Sequence, residues 1–167
     1  MIGAFHQPQA VIIDIDVLQT LPRRELSAGI AEIIKYGLIS DSPLYSWLES
    51  NICLLMSLDT GVVSAAILKS CQSKADVVSA DEKENGLRAT LNFGHTFAHA
   101  IEAAQGYGIW LHGEAVATGM LIALDLSVRM GWVNVEEISR LRYLLEKANL
   151  PVVVPENLTE SQFLDIL

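Results

Sequence analysis

Three of the four histidines of this chain lie within 18 residues of one another: His95, His99 and His112. They stand in two apolar, glycine-punctuated stretches, LNFGHTFAHAIE and LHGE. Burying an imidazole among phenylalanine, alanine and isoleucine side chains is unfavourable unless the ring has a polar partner. That partner can be a backbone carbonyl, a carboxylate, a substrate or a metal ion.

The first two histidines have helical spacing. His95 and His99 are four residues apart, so on a helix they share one face, which Glu102 continues. The other sides of this helix are apolar, which predicts that it is buried. The spacing alone leaves two interpretations open, because the rings either bond to core carbonyls or belong to a site. The pattern also lacks the extra glutamate of the zincin motif.

The third histidine favours a metal site. His112 lies just before a predicted helix, at the end of a glycine-rich turn, and catalytic zinc usually takes three protein ligands. Glu32, in LSAGIAEIIKYGLIS, is the best candidate for the remaining ligand. It lies with Lys35 opposite the apolar stripe of its helix, beside Ala28 and Gly29, and such small residues indicate a close neighbour. The alternative is an exposed ion pair on a solvated face.

A group of cations predicts an anion site. Lys74 falls on the apolar stripe of its own helix, where a lysine reaches an edge or meets an anion. Arg88 and Asn92 follow in DEKENGLRATLN. We expect Lys35, Lys74 and Arg88 to bind a carboxylate or phosphate together. The predicted stripe consists of Val63, Ile67, Cys71, Lys74 and Val78, whereas Lys83 and Glu84 are predicted loop charges and His6 a surface residue.

Composition limits the classes of partner. The 167 residues predict one domain with a sizeable core, and a hydrophobic content of 51% excludes disorder. The net charge of −9 argues against binding nucleic acid, although not against a small anionic substrate. Cys53 and Cys71 show no disulfide pattern, which favours a reducing, cytoplasmic compartment. No signal peptide is apparent, and the apolar residues 115–124 are too few to span a membrane, which needs about 20.

The hydrophobic pattern predicts a mainly α fold with a short N-terminal strand at residues 10–18, AVIIDIDVL. Asn134 is predicted to cap a sixth helix with Glu137, and Thr159 with Gln162 to begin a last one. That helix reaches the chain end without a stop signal, so we expect a piece of a longer protein. The other helices are predicted at residues 26–39, 42–50, 61–80, 92–104 and 114–130.

Taken together, these segments resemble the 3-dehydroquinate synthase family. IGAFHQP, LPRRELSAGIAEIIKYG, SKADVVSADEKENGLRATLNFGHTFAHAIE and GYGIWLHGEAVATGM are similar to its successive blocks, in order over nearly the whole chain. The resemblance implies conversion of 3-deoxy-D-arabino-heptulosonate 7-phosphate to 3-dehydroquinate and phosphate, in the shikimate pathway. It also implies an NAD-binding α/β domain, absent here, before a helical domain that holds zinc or cobalt. Residues 1–167 resemble that helical domain, and the intact enzyme is expected to be a homodimer.

The resemblance also implies roles for single residues. The resemblance implies that His99 contacts the substrate and is not a metal ligand, in spite of its spacing from His95. It also implies that His99 and Lys35 are catalytic groups. Ala98 stands where the family usually has glycine. The implied metal ligands are Glu32, His95 and His112, and the implied substrate contacts are Lys35, Lys74, Glu84, Arg88, Asn92 and His99.

The implied reaction uses the metal to acidify a substrate hydroxyl and NAD as a hydride carrier that is regenerated, with β-elimination of phosphate and an aldol closure. We expect the isolated chain to bind metal weakly and to be inactive. Three alternatives stay open: another sugar-phosphate cyclase of the superfamily, a metal-dependent polyol dehydrogenase, and a non-catalytic helical domain with structural histidines.

Overall fold

Helices form nearly all of the regular structure in the computed structural model, which describes residues 9–40, 42–81, 86–106 and 108–166. The mainly α prediction is confirmed. The α-helices are α1 (Arg23–Ile39), α2 (Ser42–Met56), α3 (Thr60–Ala80), α4 (His95–Gln105), α5 (His112–Arg129), α6 (Glu136–Lys147) and α7 (Glu160–Ile166), and two 3₁₀-helices cover Ile15–Thr20 and Leu87–Asn92.

The predicted N-terminal strand is wrong within the described part of the chain. Residues 10–14 have no regular structure, and a 3₁₀-helix follows at Ile15–Thr20. The Asp14 carboxylate accepts a hydrogen bond from the Asp16 N–H at 3.0 Å and caps that turn. A strand needs a neighbour for its backbone groups, and the described residues offer none, so Val11 and Ile12 stay exposed.

Several helix ends differ from the predicted ones. α2 runs six residues past position 50 because Ile52, Leu55 and Met56 are buried. α4 begins at His95 and not at position 92, because Gly94 adopts the left-handed conformation, with φ of +78°. The predicted Asn134 side-chain cap is also wrong, since α6 begins at Glu136 after Val135. The Thr159–Gln162 capping box is present.

The centre of the fold is α5, which packs against α1 and α4. Its first half is buried almost completely, as the apolar sequence predicted. No helix within the described ranges is long and apolar enough to cross a membrane.

Two glycines of α5 allow backbone-to-backbone contact with its neighbours. A Cβ at Gly113 would lie 2.0 Å from the Ala28 carbonyl oxygen on α1, and one at Gly119 would lie 2.2 Å from the Gly94 carbonyl oxygen. Larger residues at either position would therefore push the helices apart. The close neighbour predicted beside Glu32 is thus the start of α5, at Ala28. A Cβ added at Gly29 would meet no described atom of another element within 4 Å.

Candidate metal centre

Glu32 lies on α1 beside the buried Ala31 and Ile34, with its side chain partly exposed at the edge of the core. Its Oε2 accepts a hydrogen bond from the Lys35 ammonium at 2.5 Å. Lys35 is only 4% exposed, so this is not the solvated surface pair that the sequence left open. A buried ammonium without an anion would be very unfavourable, and Glu32 supplies that anion.

The second carboxylate oxygen of Glu32 is unusual. Oε1 is buried and has no hydrogen-bond partner among the described residues. It lies 3.7 Å from Nε2 of His95 and 3.9 Å from Nε2 of His112. A buried acceptor without a donor destabilises a fold by about 1–3 kcal/mol, so such an atom calls for a ligand.

His95 is the first residue of α4 and enters the site from the core. Its Nδ1 lies 3.3 Å from the Phe93 carbonyl oxygen, which can accept only if Nδ1 carries the proton. The Nε2 lone pair is then free to face Glu32. Burial and then the charge of Lys35 lower the pKa of His95, against smaller opposing effects of Phe93 and Glu32. The ring is therefore neutral at pH 7, as a metal ligand must be.

His112 is the first residue of α5 and lies on the solvent side. Its Nδ1 is 3.2 Å from Oε1 of Glu102, while its Nε2 points to Glu32. Glu102 also contacts Nδ1 of His99, at 3.1 Å. The ring centroids of His95 and His112 are 5.1 Å apart, and that of His99 lies 5.8 Å and 6.0 Å from them. The three histidines thus form one cluster.

The donor set fits a divalent cation. One ligand atom each from Glu32, His95 and His112 lie within 4.8 Å of one another. Oε1 of Glu32 is an acceptor, and so is Nε2 of each neutral ring whose proton is on Nδ1; in that state their lone pairs repel unless a positive ion lies there. In a tetrahedral zinc site with bonds of about 2.1 Å, ligand atoms are about 3.4 Å apart, close to two of the separations here. Two imidazoles and a carboxylate leave one position open, as catalytic zinc requires.

Of the three cations predicted to bind an anion together, Lys35 lies on α1 and pairs with Glu32, whereas Lys74 and Arg88 lie on other elements. The predicted stripe of α3 is wrong at Cys71 and Lys74, which are exposed, whereas Val63 is buried as predicted. The other buried residues of α3 are Ala66, Ser73 and Val77. Small residues at 66 and 73 turn that side of the helix inward, which moves Lys74 to its edge. Burial mainly raises the pKa of Tyr36 on α1, and the nearby Glu32 and Cys71 raise it further. Cys71, one turn before Lys74, therefore still lies near α1.

Arg88 and Asn92 lie on the second 3₁₀-helix, which packs against α1 and α3. The Arg88 N–H donates to Asp81 at 3.0 Å, which fixes the start of this turn. Asn92 is exposed and lines an open cleft of about 840 Å³, together with Phe93. This cleft does not include the three-histidine cluster. His6, Lys83 and Glu84 lie outside the described residues.

Sequence reasoning missed a clamp that holds the start of α5. Arg24 on α1 donates to both carboxylate oxygens of Glu114, each at 2.6 Å, and to the Ile109 carbonyl at 2.7 Å. Glu114 in turn accepts the Leu111 N–H at 2.8 Å. Burial would raise the pKa of Glu114, but the bonds from Arg24 and Leu111 outweigh it and lower that pKa. The glutamate two residues after His112 was the available signal.

Comparison with known proteins was made with family models and with individual relatives. The family model described as 3-dehydroquinate synthase C-terminal matches residues 29–167, and the one described as 3-dehydroquinate synthase N-terminal matches residues 1–28. A 3-dehydroquinate synthase of Pseudomonas fluorescens (strain SBW25) is 58% identical over 99% of this chain and 45% of its own length. One of Pseudomonas aeruginosa is 57% identical over the same shares.

Two solved structures resemble the fold. The 2-epi-5-epi-valiolone synthase of Streptomyces hygroscopicus, with NAD+ and Zn2+ bound, has a TM-score of 0.82 at 28% identity, covering 92% of this chain and 42% of that one. A 2-deoxy-scyllo-inosose synthase with carbaglucose-6-phosphate, NAD+ and Co2+ has a TM-score of 0.59 at 25% identity, covering 92% and 41%. The chain thus spans less than half the length of the relatives it matches, and by sequence it belongs to the 3-dehydroquinate synthase family.

Proposed function

We propose that this chain supplies the metal- and substrate-binding half of a 3-dehydroquinate synthase. The reaction is the conversion of 3-deoxy-D-arabino-heptulosonate 7-phosphate to 3-dehydroquinate with elimination of phosphate, so the enzyme is a carbon–oxygen lyase. Identity of 58% over nearly the whole chain supports this activity. The single structural observation that carries it is the convergence of Glu32, His95 and His112 around a buried oxygen without a partner.

In this proposal Oε1 of Glu32 and the Nε2 atoms of His95 and His112 hold a divalent cation, zinc or cobalt. Relatives of known structure carry Zn2+ or Co2+. The bound ion supplies Lewis-acid chemistry that lowers the pKa of a substrate hydroxyl. Lys35 holds the Glu32 side chain in place, because its ammonium donates a hydrogen bond to the other carboxylate oxygen.

His99 is the proposed proton-transfer group. Its side chain is 65% exposed, and Glu102 holds its Nδ1, so Nε2 is the nitrogen left to exchange a proton with substrate. Lys74 and Arg88 are proposed to bind the carboxylate and phosphate of the substrate, since both cations suit such anions. Asn92 is proposed to bind a hydroxyl, and Glu84 is a further proposed contact.

The rest of the catalytic apparatus is proposed to come from beyond this chain. Residues 1–167 would form the helical domain, with residues 1–28 matching the model described as 3-dehydroquinate synthase N-terminal. NAD would be bound by an N-terminal α/β domain, and the relatives, of which this chain covers 45%, are long enough to contain one. NAD supplies the reversible hydride transfer. We propose a homodimer in a reducing, cytoplasmic compartment, where the exposed thiols of Cys53 and Cys71 stay reduced. The isolated chain is expected to bind metal weakly and to be inactive.

Joining the chain to the N-terminal part of the Pseudomonas fluorescens relative tests the proposal. The hybrid should release phosphate from 3-deoxy-D-arabino-heptulosonate 7-phosphate in the presence of NAD and Zn2+ or Co2+, without net formation of NADH. The chain alone should release none. A hybrid that folds and binds metal but releases no phosphate contradicts the proposed activity. Phosphate release by the chain alone contradicts the proposal that NAD binding and the rest of the catalytic site come from beyond this chain.

A second candidate is another sugar-phosphate cyclase, because a 2-epi-5-epi-valiolone synthase shares the fold with a TM-score of 0.82. The sequence identity to it is 28%, half of that to the 3-dehydroquinate synthases. Assaying the hybrid with a heptulose phosphate that lacks the carboxylate separates the two. Preference for the substrate without a carboxylate would favour this second candidate.

A non-catalytic helical domain is the remaining candidate, and metal analysis tests it. Glu32→Ala and His112→Ala should both lower the metal content of the purified chain, because each removes a proposed ligand. Metal content equal to that of the unaltered chain in both variants would favour structural histidines.

A further inference from the structure

Glu102 is the residue that joins the histidines of the cluster. It lies on α4, one turn after His99 and ten residues before His112 in the sequence. Its Oε1 is 3.2 Å from Nδ1 of His112, and its Oε2 is 3.1 Å from Nδ1 of His99. The Glu102 side chain is 14% exposed, whereas His99 and His112 are 65% and 47% exposed. A largely buried carboxylate therefore holds two rings that are otherwise open to solvent.

The bridge fixes the protonation pattern of both rings. An ionised carboxylate only accepts hydrogen bonds, so each imidazole must carry its proton on Nδ1 to bond with it. In the neutral rings, Nε2 of His112 is then a lone pair aimed at Glu32, and Nε2 of His99 faces the open side. His95 differs, because a backbone carbonyl, Phe93 O, holds its Nδ1 and the core packs around its ring.

We infer that Glu102 is a positioning residue, which orients His112 for the cation through one oxygen and His99 for the substrate through the other. This inference rests on the proposed metal centre and adds a partner for two of its histidines. Glu102 is not one of the three residues that could hold the proposed ion. Its two oxygens link the metal side and the proton-transfer side of the site, so one side chain sets the geometry of both.

The orientations of the His99 and His112 rings should depend on Glu102, whereas that of His95 should not. The His95 side chain is only 15% exposed, and its Nδ1 lies beside the Phe93 carbonyl oxygen. It should therefore keep its orientation without Glu102. His112 is at the solvent side, and Glu102 is the described carboxylate that bonds to its Nδ1. Loss of a partner behind a metal-bound histidine typically weakens metal binding roughly 10–100-fold.

The test uses the 167-residue chain with Co2+ as the probe. Glu102→Gln keeps the size of the side chain but leaves one acceptor oxygen, which can serve one ring only. We expect the Co2+ dissociation constant to rise roughly 10–100-fold, with a changed visible absorption spectrum. Asp125→Asn is the matched control, because it removes a carboxylate paired with Arg129 on the surface of α5. It should bind Co2+ like the unaltered chain.

Nitrogen-15 NMR of the metal-free chain reads the protonation pattern directly. His99 and His112 should carry their protons on Nδ1 in the unaltered chain, and at least one of them should lose that preference in Glu102→Gln. Unaltered Co2+ affinity together with unaltered proton positions in Glu102→Gln would overturn the inference. If Glu102→Gln does not fold, Glu102→Asp is the second variant, because it keeps both carboxylate oxygens on a shorter side chain. It should raise the Co2+ dissociation constant by less than the roughly 10–100-fold expected for Glu102→Gln. An unchanged dissociation constant in Glu102→Asp would then overturn the inference.

The outcome is distinguishable from failure of the metal centre. If the unaltered chain binds Co2+ and Glu32→Ala abolishes that binding, the metal centre stands whatever Glu102→Gln does. If the unaltered chain does not bind Co2+, the proposed metal centre and this inference are both overturned.

Discussion

The proposed metal side and the proposed anion side of this chain are built differently. Glu32, His95 and His112 come from α1, α4 and α5, which meet backbone to backbone at Gly113 and Gly119. Each of the three side chains has a second partner that orients it. By contrast, Lys74 and Asn92 are exposed, on α3 and on a short 3₁₀-helix.

The contrast follows from what each ligand demands. A small cation tolerates errors of only a few tenths of an ångström in its ligands, so they must come from rigid, closely packed elements. A substrate anion is large, and long flexible cations such as lysine can reach it from a looser frame. We therefore expect the chain to carry its metal geometry by itself, whereas substrate affinity should depend on the rest of the enzyme.

The largest effect should come from separating α5 from α1. In Gly113→Ala the new Cβ would meet the Ala28 carbonyl at 2.0 Å, so α5 must move and take His112 away from Glu32. We expect a loss of about 3 kcal/mol in the free energy of unfolding, at the upper end for overpacking. Urea unfolding measures it, and Co2+ titration should show that binding is lost.

Gly29→Ala is the matched control for this change, because it is also a glycine in a helix. Apart from its chain neighbours and the backbone of its own helical turn, no described atom lies within 4 Å of its new Cβ, so the substitution should stabilise α1 by about 0.5–1 kcal/mol. If Gly113→Ala were as well tolerated as Gly29→Ala, the close approach of α5 to α1 would not be what holds the metal side together.

The second largest effect should be on metal affinity, and it should distinguish the proposed ligand His112 from its neighbour His99. His112→Ala removes a proposed ligand, so the dissociation constant of the metal should rise by more than about 100-fold, the effect of losing one strong coordination bond. His99→Ala removes a ring that shares the same bridging Glu102 but does not face Glu32, and should change that constant only a few-fold. Competition with a coloured chelator measures both. Equal losses in the two variants would make His99 a ligand as well.

The sequence predicted the local parts of this site and not their assembly. Helical spacing was enough to put His95, His99 and Glu102 on one face, because a helix fixes the neighbours of each residue at three and four positions. The meeting of Glu32 with two histidines more than 60 residues later depends on how helices pack. The residues around Glu32 made it a candidate ligand with an exposed ion pair as the alternative, and the family resemblance then implied the full ligand set.

The errors of prediction have the same origin. Residues 10–18 have strand-forming side chains, but a strand needs a partner that the described residues do not offer. The predicted buried face of α3 included Cys71 and Lys74, since spacings of three and four residues fit a helix about equally well. Spacing alone could not choose between the possible faces, and in the structure the face with the small Ala66 and Ser73 packs inward. The Arg24–Glu114 clamp spans 90 residues, a distance over which no sequence period acts.

The clamp at the start of α5 should have a moderate, pH-dependent effect. Glu114→Gln loses the charge-assisted bonds from Arg24, and we expect a loss of about 1–2 kcal/mol in the free energy of unfolding at pH 7. The folded pKa of Glu114 is lowered from its ordinary 4.5, so the ionised group stabilises the fold above that pH. This stabilisation should disappear as the pH falls through the folded pKa.

Urea unfolding of Glu114→Gln and the unaltered chain at several pH values checks this. The difference between them should be constant near neutrality and shrink in acid. Asp125→Asn is the control, since its exposed pair with Arg129 on the same helix should contribute less than about 1 kcal/mol. A Glu114→Gln difference that does not change with pH would mean that the carboxylate charge does not hold the clamp.

The smallest effect should be found on the anion side. Lys74 is exposed at the edge of α3, so Lys74→Met should change the free energy of unfolding by less than about 0.5 kcal/mol and leave Co2+ affinity unchanged. Lys35→Met is the matched variant on the metal side. It leaves the Glu32 carboxylate without its buried partner, which should destabilise the chain by about 3 kcal/mol or more. If the two variants were alike in stability, the distinction between a rigid metal side and a loosely framed anion side would fail, because burial would then not decide what each lysine does. If Lys74→Met instead raised the KM of the hybrid enzyme without altering its stability, Lys74 would act on the substrate alone.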